Sequence, residues 1–331
     1  MNILSRIAAK AHREAQNMLA LIGAEQIVMQ SKKGAAIICY HGIDTIESKV
    51  LNMRFYSIKS LETHFSYFKK YFNVISVQDY FLEKFSTQKF NIAITFDDGY
   101  RNNFKYLLPL AEKYQLPVSI YVTGLNQTPF NCLWADFADI LIHFSDLTEI
   151  EISGEFFLRE KNFCNIKGES LHQWIKKQGT WNFKQELYEK YANDFRTITT
   201  QKNIGDYWEL MSDKEIMEAA ESQFITIGSH GFFHNNLGNI SPIDAAHELA
   251  ASKKYLENLI QKEVNELAYP DGSFNQQTID AAKQQNLKFQ LALETKEHCS
   301  RQRGILNRHG MYPVYSNINQ LATIPSVEKV H

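Results

Sequence analysis

The stretch Asn91-Ile92-Ala93-Ile94-Thr95-Phe96-Asp97-Asp98-Gly99-Tyr100 decides the fold reading. Its first six residues form a short, mostly apolar run of the kind buried in a parallel sheet, and it stops on two carboxylates and a glycine. Similar runs recur at 36–40, 74–77, 118–122, 224–228, 266–269, 289–293 and 305–308, with segments of helical period at 58–71, 103–114, 244–260 and 276–285. Strands alternating with helices make βαβ units, and about seven or eight of them favour a barrel over an open sheet. The rhythm breaks once, between Gly124 and Ser212. There a helical piece at 134–144, a hairpin-like run at 149–159 and helical pieces around Leu171 and Leu187 read as an insertion. The expected divisions are an N-terminal region 1–33, a barrel of 34–124 and 206–315, an insertion of 125–205 and a tail of 316–331.

Composition narrows the classes. The chain has 331 residues, 44% hydrophobic and 22% charged, which excludes disordered and collagen-like proteins. A chain this long buries about three quarters of its unfolded surface, so any metal present would serve function rather than stability. Formal net charge is -2, which leaves no electrostatic footprint for nucleic acid. Cys39, Cys132, Cys164 and Cys299 form no CxxC pair and suggest a reducing compartment. No run is apolar enough to span a membrane and no cleavable signal is legible, so a cytoplasmic location is expected. Ile3, Leu4, Ile7, Ala8, Ala11, Leu19 and Ile22, interleaved with Arg6, Lys10, Arg13 and Lys32, form an amphipathic N-terminal helix. It would pack on the body or rest on the inner face of an anionic membrane.

The chemistry lies at strand ends. Asp97 and Asp98 leave the strand in different directions, so one can bind a cation while the other faces another atom. The bland reading of the same residues is an Asp-Gly turn before a helix. Ser229-His230-Gly231-Phe232-Phe233-His234 follows another strand, and its two histidines converge on one ion if the backbone between them turns tightly. One Asp plus two His is a three-ligand set with open positions, the pattern of a catalytic ion that polarises a carbonyl and activates water.

These residues carry a resemblance. Thr95 to Tyr100 resembles the first signature of the polysaccharide deacetylases, and His230 with His234 resembles the second. Leu267-Ala268-Tyr269-Pro270-Asp271-Gly272 is similar to the third, and 245–260 to the helix before it. The resemblance spans roughly 36–312. It implies a distorted (β/α) barrel with about seven strands and metal-dependent removal of N-acetyl groups from amino sugars of a polysaccharide or glycan. It further implies that Asp98, His230 and His234 hold the divalent ion, zinc first and cobalt, nickel or manganese otherwise. Asp97 is then the general base, and the Tyr100 backbone N–H a donor to the oxyanion.

The family's C-terminal Leu-x-His signature is not recognisable, so the acid must come from elsewhere. Cys39-Tyr40-His41-Gly42-Ile43 resembles the Tyr-His of a branch with permuted motif order, which names His41 as acid, with His309 as the runner-up. The arginine that usually opens the third motif is replaced by Ala268 and Tyr269, which leaves Arg308 to orient Asp97. Asp271 stands where an aromatic is usual and would bind a sugar hydroxyl or an amine, or simply make a turn. Tyr269 and Pro270 would wall the substrate groove. Trp134, Trp174 and Trp181 would cover the barrel mouth or fill a satellite core. Two competing functions remain: a non-catalytic glycan-binding barrel, and a metal-dependent hydrolase of another amide.

Overall fold

A computed structural model of the chain describes residues 30–48, 50–313, 320–321 and 324–326. Its strands are β1 (Ala35–Tyr40), β2 (Ile43–Asp44), β3 (Tyr56–Ser57), β4 (Phe72–Val74), β5 (Phe90–Phe96), β6 (Val118–Val122), β7 (Glu149–Ile152), β8 (Glu155–Arg159), β9 (Phe163–Cys164), β10 (Ile225–Ser229), β11 (Glu266–Ala268), β12 (Phe289–Leu293) and β13 (Ile305–Gly310). Strands β1, β5, β6, β10, β11, β12 and β13 pair in parallel around a closed ring, completed by β1 against β5. This is the α/β barrel of seven strands that the sequence implied. Strand β4 adds to the first half of β5, on residues 90–92, and β6 to residues 94–96.

Alternation along the strands makes two layers. Ala36, Ile38 and Tyr40 of β1, Ile92, Ile94 and Phe96 of β5, and Ile305 of β13 face the outer helices and join the main core with Leu61, Phe65 and Phe68 of the helix Ile58–Tyr71. Their neighbours Ala35, Ile37, Ala93, Tyr121, Ala268, Leu291 and Leu306 face inward and pack on Val77 and Tyr80. Those two belong to a short helix, Val77–Phe81, where the sequence reading continued a strand over 74–77. The reason is a cap: the Ser76 hydroxyl accepts the Asp79 amide at 3.0 Å and turns the chain. The helix closes the end of the barrel where the strands begin.

Residues 124–212 leave the barrel after β6 and build their own core from the helices Trp134–Phe144, Leu171–Gln178 and Trp181–Gln201 and the sheet β7–β8–β9. The two ends of this segment are tied together. Asn126 donates to the Met211 carbonyl at 3.3 Å and to Asp213 at 2.9 Å, and Gln127 to Asp213 at 2.8 Å. Trp174 is held edge-on by Phe157 and Phe183, while Trp181 stacks on Phe233 at 4.6 Å. The expected amphipathic helix lies outside the described residues except at its last few positions, as does most of the expected tail. No described helix is long and apolar enough to cross a membrane.

One glycine is forced by close approach. A Cβ on Gly228 of β10 would lie 2.5 Å from Cδ1 and Cε1 of Tyr121, whose hydroxyl donates at 2.9 Å to buried Glu266 on β11, on the other side of β10. Gly228→Ala should therefore lose about 1–3 kcal/mol of stability through overpacking. A urea midpoint equal to that of the unchanged protein would show that Tyr121 can turn aside.

Candidate active site

The C-terminal ends of β1, β5, β10 and β11 converge on a cavity of about 430 Å³ lined by His41, Arg54, Asp97, Asp98, His230 and His234, and closed on the far side by Trp134, His172, Lys176 and Asp271. That volume falls within the range of roughly 300–1,000 Å³ usual for small-ligand sites. The sequence had placed His41, the Asp97 and Asp98 pair, and the His230 and His234 pair at the ends of separate strands, and the parallel ring brings them together.

Strand parity sorts the candidates. Cys39 continues the inward series of Ala35 and Ile37, and His41 follows in phase to line the cavity; Arg308 follows Leu306 inward, whereas His309 follows Ile305 outward. The runner-up acid is thus on the helix-facing side, half-buried, and does not line the cavity.

Asp97 and Asp98 separate as expected. Arg308 grips Asp97 with both arms of its guanidinium, Nη1 to Oδ1 at 2.6 Å and Nη2 to Oδ2 at 2.7 Å, and also donates to Thr95 and the Ala292 carbonyl. Burial pushes the Asp97 carboxyl up, but Arg308 and then His230 outweigh it and hold it down at about 2. Asp98 turns away on a left-handed backbone, φ 74°, followed by Gly99 at φ 71°. Burial again opposes its charge, and contacts from His230 and His234 keep it well below the ordinary range.

The two histidines meet Asp98 through a tight turn, not a helix, with Gly231 at φ 73° and His234 at φ 51°. His230 Nε2 lies 3.4 Å and His234 Nε2 3.3 Å from Asp98 Oδ1. Four ligands at about 2.1 Å around a tetrahedral ion are separated by about 3.4 Å, so these spacings suit one zinc-sized cation. The tautomer also fits. His230 Nδ1 donates to the Ala268 carbonyl at 2.8 Å, which leaves the Nε2 lone pair facing the carboxylate. Two acceptors aimed at each other in a buried site call for a proton or a cation between them.

A second set, Cys39, His41 and Asp97, is equally compact, but its carboxylate already carries the Arg308 cation on both oxygens and takes a contact from the Cys39 thiol at 3.4 Å. A divalent ion there would face a guanidinium. Among the described residues no arginine or lysine pairs with Asp98 of the other set.

His41 is nearly fully buried and its Nδ1 has no hydrogen-bond partner among the described residues. Burial first and Arg54 second lower it to about 4, against the pull of Asp98 and Asp97, so its ring is neutral at rest. Tyr100 sits under the site with its hydroxyl donating to Asp136 at 2.7 Å. Tyr269 borders the cavity, yet its ring lies beside Phe274 and its hydroxyl donates to Gln290 at 2.7 Å, away from a ligand. Pro270 is buried, while Asp271 reaches the cavity on a left-handed backbone and pairs with Lys176 at 2.7 Å. Of the three tryptophans considered, only Trp134 lines the cavity. Arg54, Lys176, His172 and Asp136 went unnoticed in the sequence, because they lie on loops or on the insertion without a motif.

The site thus defines an α/β barrel whose open cavity holds a candidate metal triad with a further carboxylate and an imidazole beside it. The family model described as polysaccharide deacetylase matches residues 84–139 and 180–290, just over half of the chain. The protein YxkH of Bacillus subtilis is 28% identical over 124 residues, which cover 37% of this chain and 43% of that protein. Among solved structures, the Streptococcus pyogenes deacetylase PplD in complex with acetate matches with a TM-score of 0.56 at 18% identity, covering 88% of this chain and 98% of that one. A de-N-acetylase from Aggregatibacter actinomycetemcomitans gives 0.55 at 15% identity, over 87% and 99% of the two chains. The chain belongs to the polysaccharide deacetylase family.

The Arg308–Asp97 pair makes a direct prediction. Arg308→Met strands a buried carboxylate, and should cost about 3–5 kcal/mol in urea unfolding at pH 7. In the native protein Asp97 is lowered, so its contribution is present above about 3.9 and lost as the pH falls toward 2. In the variant burial is opposed only by His230 and His41, so the carboxyl moves up from its native value and protonation relieves the strain earlier. The stability gap should narrow between pH 7 and pH 4, and a constant gap would mean that charge is not the cause.

Proposed function

We propose that this protein hydrolyses N-acetyl groups from amino sugars of a glycan or polysaccharide, with Asp98, His230 and His234 holding a divalent ion, zinc before cobalt, nickel or manganese. The observation that carries this reading is the meeting of that triad, Asp97 and His41 in one cavity. Two imidazoles and one carboxylate suit zinc and leave positions open. When bound, the ion supplies Lewis-acid polarisation of the acetamide carbonyl and raises the acidity of the attacking water.

The side chains then divide the proton work. Asp97, kept anionic and oriented by Arg308, takes a proton from the water as it attacks the carbonyl carbon. So acidic a carboxylate is a weak base and serves only an acidified water. The Tyr100 amide is assigned to the carbonyl oxygen as that atom gains charge. His41 is neutral at rest, and the growing negative charge beside it favours its protonated form. Its ring and an Asp97 oxygen have atoms within 4.8 Å of one another, near enough for a proton to pass through one water. His41 gives that proton to the sugar nitrogen as the C–N bond breaks, leaving acetate and a free amine. Trp134, His172, Lys176 and Asp271 form the outer wall against the sugar. The Asp271–Lys176 pair supports a role for Asp271 in shaping that wall more than in binding an amine directly.

Two measurements test the assignment. Asp97→Asn should keep its metal and lose about 10²–10⁴-fold in acetate release from N-acetylated glycans, whereas His230→Ala should lose the metal itself. Wild-type turnover in Asp97→Asn, or unchanged metal content in His230→Ala, would sink the scheme. His41→Ala should lose most activity on acetylated sugars and much less on an activated acetate ester, whose leaving group needs no proton. Equal losses on both substrates would remove His41 from the acid's role.

A further inference from the structure

Lys184 lies in the first turn of the inserted helix Trp181–Gln201, and only 2% of it is exposed. An ammonium taken out of water is costly unless its donors are satisfied. Its bonds go to the site: Nζ donates to the main-chain carbonyl of His234 at 2.6 Å and to Asn235 Oδ1 at 2.9 Å. The chain of bonds continues beyond it. Asn235 Nδ2 donates to Glu248 Oε2 at 2.8 Å, and Glu248 Oε1 accepts the amides of Phe233 at 3.0 Å and Asn235 at 3.2 Å. Glu248 is buried on the helix Pro242–Ile260 behind the turn. The left-handed backbone at His234 is therefore held on one side by a lysine from the insertion and on the other by a glutamate from the barrel. Neither residue touches the cavity.

We propose that Lys184 is a positioning residue, which fixes the His234 carbonyl so that the imidazole on the same residue presents Nε2 to the ion, and that the insertion is thereby part of the metal site. The proposal rests on the metal reading above. A leucine-like filler would serve packing equally well, but only a donor can grip a carbonyl and an amide oxygen at once.

The test uses the full chain stripped of metal, with zinc as the probe and a competing chelator to read affinity. Lys184→Met fills the slot without donors, and Lys184→Arg keeps them. With folding checked by near-UV circular dichroism, Lys184→Met should bind zinc about 10–100-fold more weakly, as loss of an outer partner of a ligand does. Its turnover should recover as zinc is raised, and Lys184→Arg should stay closer to the unchanged protein. A folded Lys184→Met with full zinc affinity overturns the proposal, and so does loss of fold in both variants, which assigns the residue to packing alone. An unchanged protein that takes up no zinc would instead fail the metal reading itself, and the two failures are distinguishable.

Discussion

A guanidinium buried inside a ring of seven parallel strands sets the terms for the rest of this structure. Arg308 has no exposed side-chain surface and is matched on both arms by Asp97. It also lies over the Tyr121 ring, whose hydroxyl reaches Glu266. The upper interior of the barrel therefore carries a paired polar cluster, while the lower interior is apolar and plugged by Val77 and Tyr80. Charge of this kind is tolerable only with good geometry. That geometry requires the β13-to-β1 and β1-to-β5 pairings that carry Arg308 across to Asp97.

With Asp97 neutralised from below, Asp98 becomes the free carboxylate of the pair. Two adjacent acids thus acquire different chemistry from their surroundings alone, one fixed by an arginine and the other facing two imidazoles. The left-handed turn at Asp98 and Gly99 performs the separation. An ordinary strand end would have left them on opposite faces of the sheet, one in the barrel and one among the helices.

Much of this was readable beforehand, because strands, their ends and the signatures on them are local features. The β5 run and the His230 and His234 spacing depend on near neighbours, while the assignment of Arg308 to Asp97 came from the family resemblance, which left that arginine to orient the base. The choice between His41 and His309 was also available from strand parity, since a period of two sends Arg308 inward and its neighbour outward. Legibility stopped where contacts join remote segments. Lys184, Asp136 and Arg54 have no pattern of their own, and their place is known only once the insertion is folded against the barrel. The tryptophans show the same limit: Trp134, Trp174 and Trp181 share a composition signal, yet only the first meets the cavity. At 74–77 a single serine cap outweighed a β-branched run.

The tie between Asn126, Gln127 and Asp213 has a kinetic side. Strands β6 and β10 are partners in the ring, but the whole insertion intervenes between them in the chain. Closing so long a loop costs entropy before any strand bond forms, and pairings remote in sequence form slowly. An insertion that condenses first around its own core brings its two ends together, and the loop left to close shrinks to a short link to β6 on one side and the helix Asp213–Glu221 leading to β10 on the other. In that order of events the detour ceases to be an obstacle to barrel closure and becomes the clasp that makes it quick.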